Sequence, residues 1–169
     1  MARGKGHHNK ADGFVPSAEV LLDVQRLLDE GASRASCAQR FCVGTANCCR
    51  FRLTGETPYV TLGEAWVAWK AWRASGRTRV DLPSDGCCPF LSAEGRCLIY
   101  SGRPLACRTH FCVSAGGALP RRDVIDLIRA LEDIDVALGG HGASRLPDAV
   151  ERLSRKGVTG SGKKKRRGN

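Results

Sequence analysis

The sequence predicts a small single domain that is mainly α-helical, with irregular cysteine-rich loops and short strands. Segments with helical apolar spacing alternate with two regions that are rich in glycine, proline and cysteine. The chain has 169 residues, of which 42% are hydrophobic, which suits one globular domain with tails. No apolar run approaches the ~20 residues that a membrane-spanning helix needs, so we expect no contact with a membrane.

Two helices are predicted in the first half of the chain. The first begins at Ser17 as N-cap and ends at Gly31, and its apolar face comprises Val20, Leu21, Val24, Leu27 and Leu28. The second begins at the capping box Thr61-x-x-Glu64, runs to about Ser75 and has Gly76 as its C′ residue. It carries Trp66, Trp69 and Trp72, whose helical spacing favours a place in the core over a role in stacking bases or lining a pocket.

Two more helices are predicted towards the C-terminus. The clearer one follows Pro120 and ends at Gly139-Gly140, with apolar residues from Val124 to Leu138 on one face. The last runs from Pro147 to Lys156.

The cysteine-bearing regions between the helices are predicted to be irregular. Residues 32–60 are interpreted as loop with short strands around Phe51–Leu53 and Tyr59–Val60. Residues 83–118 are interpreted as loop in which Cys97–Tyr100 is the only candidate strand.

The charge is concentrated at the ends of the chain. The formal net charge is +10, with three basic residues in 1–10, eight in 152–169 and no acidic residue in either stretch. The middle then has 16 basic and 17 acidic residues and is nearly neutral. We therefore expect a flexible basic arm over residues 1–15, a folded domain over 16–156 and a disordered basic tail over 157–169.

The nine cysteines indicate a metal site. They all lie between Cys37 and Cys112, and the first residues lack the apolar core of a secretory leader, so we expect the chain in the reducing cytoplasm, where disulfides are rare. Ordering some 60 residues of loop costs about 1–2 kcal/mol of backbone entropy per residue. Thiolate bonds to Zn²⁺ or to an iron–sulfur cluster can offset that cost, which predicts a metal-stapled domain. The spacing does not choose between the two metals or define their number.

Two segments resemble a known family. FCVGTANCCRF ends in Cys48-Cys49, and CPFLSAEGRCLIYSGRPLACR contains Cys88, Cys97 and Cys107. Together they resemble the YkgJ, or CxxCxxCC, family, to which zinc, iron or iron–sulfur chelation is ascribed. The first cluster departs from the family pattern, since its spacing is C-x4-C-x5-CC, and the cysteine at position 87 is additional.

The resemblance implies a set of metal ligands and neighbouring groups. The ligands it implies are Cys37, Cys42, Cys48, Cys49, Cys88, Cys97 and Cys107, with Cys112 as an eighth. Near these thiolates, Arg103 and Arg108 would offset negative charge, and Tyr100 would donate a hydrogen bond and shield the metal. His110, a lone histidine between two cysteines, is not counted among the ligands.

Three functions follow as hypotheses. The first is a cytoplasmic metalloprotein that binds [4Fe–4S] or zinc through thiolates from both segments, with a structural role and a redox role left open. The second is a metal-dependent modification enzyme, because the flagellin lysine methylases carry a related cysteine motif. The third is a zinc module that binds RNA or DNA weakly and without sequence specificity through the tail that contains Lys163 to Arg167.

Overall fold

The computed structural model describes residues 15–159 of the chain. They form a mainly helical domain with a short two-stranded sheet, as the sequence predicts. The helices are α1 Ala18–Cys37, α2 Phe51–Thr54, α3 Leu62–Ala74, α4 Leu105–Thr109, α5 Ile125–Ala137 and α6 Leu146–Thr159, and the strands are β1 Tyr59–Val60 and β2 Ser144–Arg145. Short 3₁₀ turns occupy Asn47–Cys49, Tyr100–Gly102, Val113–Ala115 and Arg121–Asp123. Of the predicted basic ends, residues 1–14 and 160–169 lie outside the described residues.

The first helix begins where the sequence predicts but ends later. Ser17 is the N-cap, and its hydroxyl accepts a hydrogen bond from the backbone N–H of Val20 at 3.3 Å. The predicted stop at Gly31 is wrong, because α1 continues for six residues to Cys37. Gly31 is buried, and a Cβ on it would collide with the Leu105 side chain of α4. The glycine therefore permits close packing between two helices and does not end the first one.

Helix α3 lies between the two hydrophobic clusters of the domain. The predicted capping box is present, since Thr61 accepts from the Glu64 backbone while the Glu64 carboxylate accepts from the Thr61 backbone. Of the three tryptophans predicted in the core, Trp69 and Trp72 are buried and face a cluster shared with α6 and the second cysteine segment, and Trp66 is half-buried against both clusters. Val67, on another face of α3, packs in a cluster shared with α1, α4 and α5.

A buried carboxylate on α5 holds the segments that adjoin the two strands. Asp135 accepts hydrogen bonds from the backbone N–H groups of Leu62 at 2.6 Å and Gly142 at 2.9 Å. It thus connects α5 to the start of α3 and to the loop before β2. In the antiparallel sheet, Tyr59 pairs with Arg145 and Val60 with Ser144. The prediction of a strand at Tyr59–Val60 is confirmed.

Other predictions for the irregular regions are wrong. Phe51–Leu53 lies in α2 rather than in a strand. In the predicted strand Cys97–Tyr100, only Cys97 forms a bridge, with Leu91, and Tyr100 begins a 3₁₀ turn. Neither α4 nor β2 was predicted, because both are short and their neighbours in the fold determine them.

The last two helices follow the predicted pattern with shifted ends. After Pro120 the chain makes a 3₁₀ turn before α5 starts at Ile125, and the helix ends just before Gly139. Helix α6 runs from Leu146 to Thr159, so the predicted helix end at Lys156 is wrong by three residues.

Candidate metal centre

A backbone hydrogen bond joins the two cysteine segments. Cys48 and Cys49 lie in the 3₁₀ turn after Ala46, a residue with a left-handed backbone at φ 56°. The backbone N–H of Cys88 donates to the carbonyl of Cys49 at 2.7 Å, and Cys88 is buried. The Cys-Cys pair of the first segment is thus held directly against the start of the second segment.

A tight turn and a short helix bring the next two cysteines to the same place. Cys97 bridges to Leu91, and the backbone N–H of Leu98 donates to the Phe90 carbonyl at 2.9 Å. Cys107 lies in α4, whose first residue, Leu105, donates its backbone N–H to the buried Glu64 carboxylate at 2.9 Å. Helix α3 therefore positions α4 through a single side chain.

These segments line a cavity of about 450 Å³ that is partly open to solvent. Its wall is largely apolar and includes Phe51, Phe90, Ile99 and Leu146. Six thiols line it, those of Cys42, Cys48, Cys49, Cys88, Cys97 and Cys107. The structure thus brings together six of the eight cysteines that the resemblance implies as ligands.

Burial and neighbouring thiols raise the pKa of four cavity cysteines, Cys48, Cys49, Cys97 and Cys107. Burial, followed by the neighbouring thiols of Cys49 and Cys97, raises the pKa of Cys107, and burial is also the main reason why the pKa of Cys97 is raised. The pKa of Cys48 is raised mainly by a hydrogen bond with Cys49. A hydrogen bond with Cys48 lowers the pKa of Cys49, but the Cys88 thiol and burial outweigh it and raise the value to about 12. A metal that binds here must displace these protons.

One guanidinium group acts on three of the thiols. Arg103 lines the cavity, and its charge lowers the pKa of Cys48, Cys97 and Cys107, against the larger effects that raise them. Its Cζ atom lies 3.8 Å from the centroid of the Tyr100 ring, and its Nε donates to the Tyr100 carbonyl at 3.2 Å. Of the three residues that the sequence predicts near the metal, Arg103 and Tyr100 thus lie at the cavity, with the Tyr100 ring against the guanidinium, and Arg108 does not.

A histidine also lines the cavity. His110 Nδ1 lies 3.4 Å from Glu56 Oε2, and both residues are part of the wall. The sequence gives no sign of this pairing, because the two residues are 54 positions apart.

The remaining cysteines and Arg108 are not part of the cavity wall. Cys37 is exposed at the end of α1, and Cys112 lies 3.2 Å from the Ser114 hydroxyl. The backbone N–H of Cys87 donates to Asp85 at 3.0 Å. Arg108 is buried, and its guanidinium donates hydrogen bonds to the Asp29 carboxylate at 3.0 Å and to the Arg103 carbonyl at 2.7 Å. Arg108 therefore ties α4 to α1 and shapes the loop that carries Arg103.

The sequence alone did not identify the role of Glu64 in this site. The capping box predicts that one oxygen faces Thr61, and Oε2 does accept from the Thr61 N–H at 2.8 Å. The other oxygen, Oε1, reaches Leu105 across 41 residues of sequence. Burial raises the pKa of Glu64 more than these donors lower it.

Within residues 15–159, no three Cys, His, Asp or Glu side chains are already arranged to hold a metal ion. None of the helices in this part of the chain has the length and apolarity needed to cross a membrane. In comparisons with known proteins, the chain matches no family model, no curated protein and no solved structure.

Proposed function

We propose that this chain is a thiolate metalloprotein of the YkgJ type that holds a [4Fe–4S] cluster in the cysteine-lined cavity. The observation that carries the proposal is the convergence of six thiols from three stretches of chain on one largely apolar cavity. Iron–sulfur clusters are held mostly by cysteine thiolates, usually four. The donor set is therefore of the right kind and leaves two cysteines in excess, and since no three such side chains within residues 15–159 are already arranged to hold a metal ion, the loops must close around the cluster.

The size of the cavity favours a cluster over a single zinc ion. Four sulfur atoms at about 2.3 Å from one Zn²⁺ close tightly around the ion. The volume of about 450 Å³ far exceeds the tens of Å³ that one ion or water molecule needs. A cluster with its own iron and sulfide atoms would occupy more of this space than a single ion.

The residues of the chain have separate tasks in this proposal. The central ligands are Cys49, Cys97 and Cys107, which all line the cavity. The Cys97 thiol raises the pKa of Cys49, and the Cys49 and Cys97 thiols raise that of Cys107; the fourth ligand comes from the other cavity cysteines. Arg103 offsets the negative charge of the thiolates, and the apolar wall limits the access of water. When bound, the cluster supplies cross-links between the loops and a one-electron redox centre. We expect this centre to work in the cytoplasm, where thiols stay reduced.

The test is metal analysis of the full chain purified without oxygen. We expect brown protein with iron and acid-labile sulfide, and an absorption band that bleaches on reduction. Colourless protein loaded with zinc would refute the cluster in favour of a structural zinc site. Protein that takes up neither metal, with its thiols paired as disulfides, would refute metal binding altogether.

Single serine variants test the ligand set against a matched control. Cys49→Ser, Cys97→Ser and Cys107→Ser should each lose most of the iron, because each removes a thiol that faces the cavity. Cys37→Ser and Cys112→Ser should keep the iron content of the unchanged chain, because those thiols lie elsewhere. Equal losses in both groups would contradict the assignment of the cavity as the site.

A further inference from the structure

The end of α3 and the turn after it form an exposed cationic surface. Lys70, Arg73, Arg77 and Arg79 are exposed, and residues 65–80 contain no acidic residue. Within residues 15–159, none of these four side chains is in an ion pair. The positive charge of this surface, which we call the α3 basic surface, is therefore not neutralised by the part of the chain that the structure describes.

Buried tryptophans hold two of the guanidinium groups in place. The Cζ atom of Arg73 lies 5.8 Å from the Trp69 ring centroid, and that of Arg77 lies 4.9 Å from the Trp72 ring centroid. Both rings are buried and thus fixed by packing. A cation held on a ring face keeps most of its N–H donors available, whereas a cation paired with a carboxylate does not. These two arginines are therefore ordered and still able to bind an anion.

The turn that carries the other cations is fixed to α3 and α6. The indole N–H of Trp72 donates to the Arg79 carbonyl at 2.7 Å, and the backbone N–H of Val80 donates to the Ser154 hydroxyl at 2.9 Å. The α3 basic surface thus adjoins α6. Within α6 begins the stretch 152–169, which has eight basic residues and no acidic one.

We propose that the α3 basic surface binds the sugar–phosphate backbone of nucleic acid without reading its sequence. A row of unpaired cations suits a polyanion whose charges repeat along a chain. Trp69 and Trp72 are too buried to stack on bases, and the half-buried Trp66 packs against both hydrophobic clusters, so the contact carries no base preference. An anionic membrane is the poorer partner, because residues 65–80 expose no large apolar side chain that could insert between lipids.

The test measures binding of the full-length, metal-replete protein to a 20-base-pair DNA duplex of arbitrary sequence over a range of salt concentrations. The variant R73Q/R77Q/R79Q removes three cations from the surface and retains side-chain length. The control R26Q/R121Q/R122Q removes three exposed cations from α1 and from the turn before α5. Both variants have the same net charge. The control also breaks the exposed Arg26–Asp23 and Arg122–Asp123 ion pairs, and exposed pairs of this kind contribute little to stability.

The unchanged protein and the control should bind the duplex with the same steep dependence on salt. The R73Q/R77Q/R79Q variant should bind about tenfold or more weakly at 50 mM salt. The slope of log K against log [salt] should become shallower by about two to three, since each phosphate contact contributes about 0.9. Circular dichroism and iron content unchanged in both variants would show that each is folded.

Three results would overturn the proposal. They are no binding of the unchanged protein at 50 mM salt, an equal loss in the two variants, and tighter binding to vesicles that contain anionic lipid than to the duplex. A change in duplex sequence that altered affinity tenfold would equally contradict a contact made only to phosphates.

Discussion

Replacing Gly102 by alanine should push the second cysteine segment away from α3. Gly102 is buried in the turn Tyr100–Gly102, immediately before the cavity residue Arg103. A Cβ atom at this position would lie 2.6 Å from the Cβ of Ala71 and 3.2 Å from the carbonyl oxygen of Val67. Both atoms belong to the rigid body of α3, so the turn must move instead.

The size of the effect follows from two opposing contributions. Overpacking of a well-packed site costs about 1–3 kcal/mol, and alanine restricts the unfolded chain, which stabilises by about 0.4–1 kcal/mol. The clash is the larger contribution, so Gly102→Ala should destabilise the domain. Each kcal/mol lost lowers Tm by about 2–4 °C for a chain of this size.

A double-mutant cycle identifies the cause. Ala71→Gly removes the nearer of the two clashing atoms and by itself costs about 1 kcal/mol of helix propensity. In G102A/A71G the new methyl group occupies the space that Ala71 leaves. The double variant should therefore be more stable than the sum of the single effects by about 1 kcal/mol, as measured by urea unfolding of the metal-free and the metal-loaded protein.

Additive effects of Gly102→Ala and Ala71→Gly on the free energy of unfolding would refute a clash between these two residues. If the two single effects add to within about 0.5 kcal/mol, close packing between Gly102 and Ala71 does not limit stability. The metal-loaded protein provides a second readout, because displacement of this turn moves Arg103 and the start of α4. We expect Gly102→Ala to lower iron content as well, and A71G to restore part of it.

Three other predictions, tested by four substitutions, concern separate parts of the fold. The Arg34 guanidinium donates two hydrogen bonds of 2.7 Å to the Asp126 carboxylate. These hydrogen bonds lower the Asp126 pKa to about 2. This pair should stabilise fully above about pH 4 and lose its effect as pH falls towards 2, and Asp126→Asn should remove that component from acid-unfolding curves. The raised pKa of Glu64 gives the opposite dependence of stability on pH. Protonated Glu64 contributes fully to stability below about pH 4, and this contribution is lost as pH rises through the pKa of the folded state. Glu64→Gln should therefore abolish the decline in stability between about pH 4 and that pKa. Phe90→Ala, which empties a fully buried site, should cost about 3–5 kcal/mol in urea unfolding, whereas Phe41→Ala, at a side chain that is 59% exposed, should cost less than about 0.5 kcal/mol. A pH profile unchanged by the first two variants, or equal losses for the two phenylalanines, would contradict these assignments.

Much of the helical framework could be predicted because its signals are local. Ser17 and the Thr61–Glu64 capping box define helix starts through contacts within one turn. The spacing of Trp69 and Trp72 predicted their burial for the same reason. Gly31 was misread because a helix-ending glycine and a helix-packing glycine have the same local sequence, and only contact with Leu105 distinguishes them.

For the candidate site, the sequence by itself determined the cysteine content, the two segments that carry it and the separation of the positive ends from a nearly neutral body. It could not determine which thiols meet. The tertiary structure brings Cys42, Cys48, Cys49, Cys88, Cys97 and Cys107 to one cavity and leaves Cys37, Cys87 and Cys112 outside its wall. It also places Arg103 at the cavity, where its charge acts on three thiols, and makes Arg108 a link between helices. The reason is that these positions depend on hydrogen bonds between residues distant in sequence. Examples are the backbone N–H of Cys88 donating to the Cys49 carbonyl and that of Leu105 donating to the Glu64 carboxylate, and such bonds form only once the helices have packed.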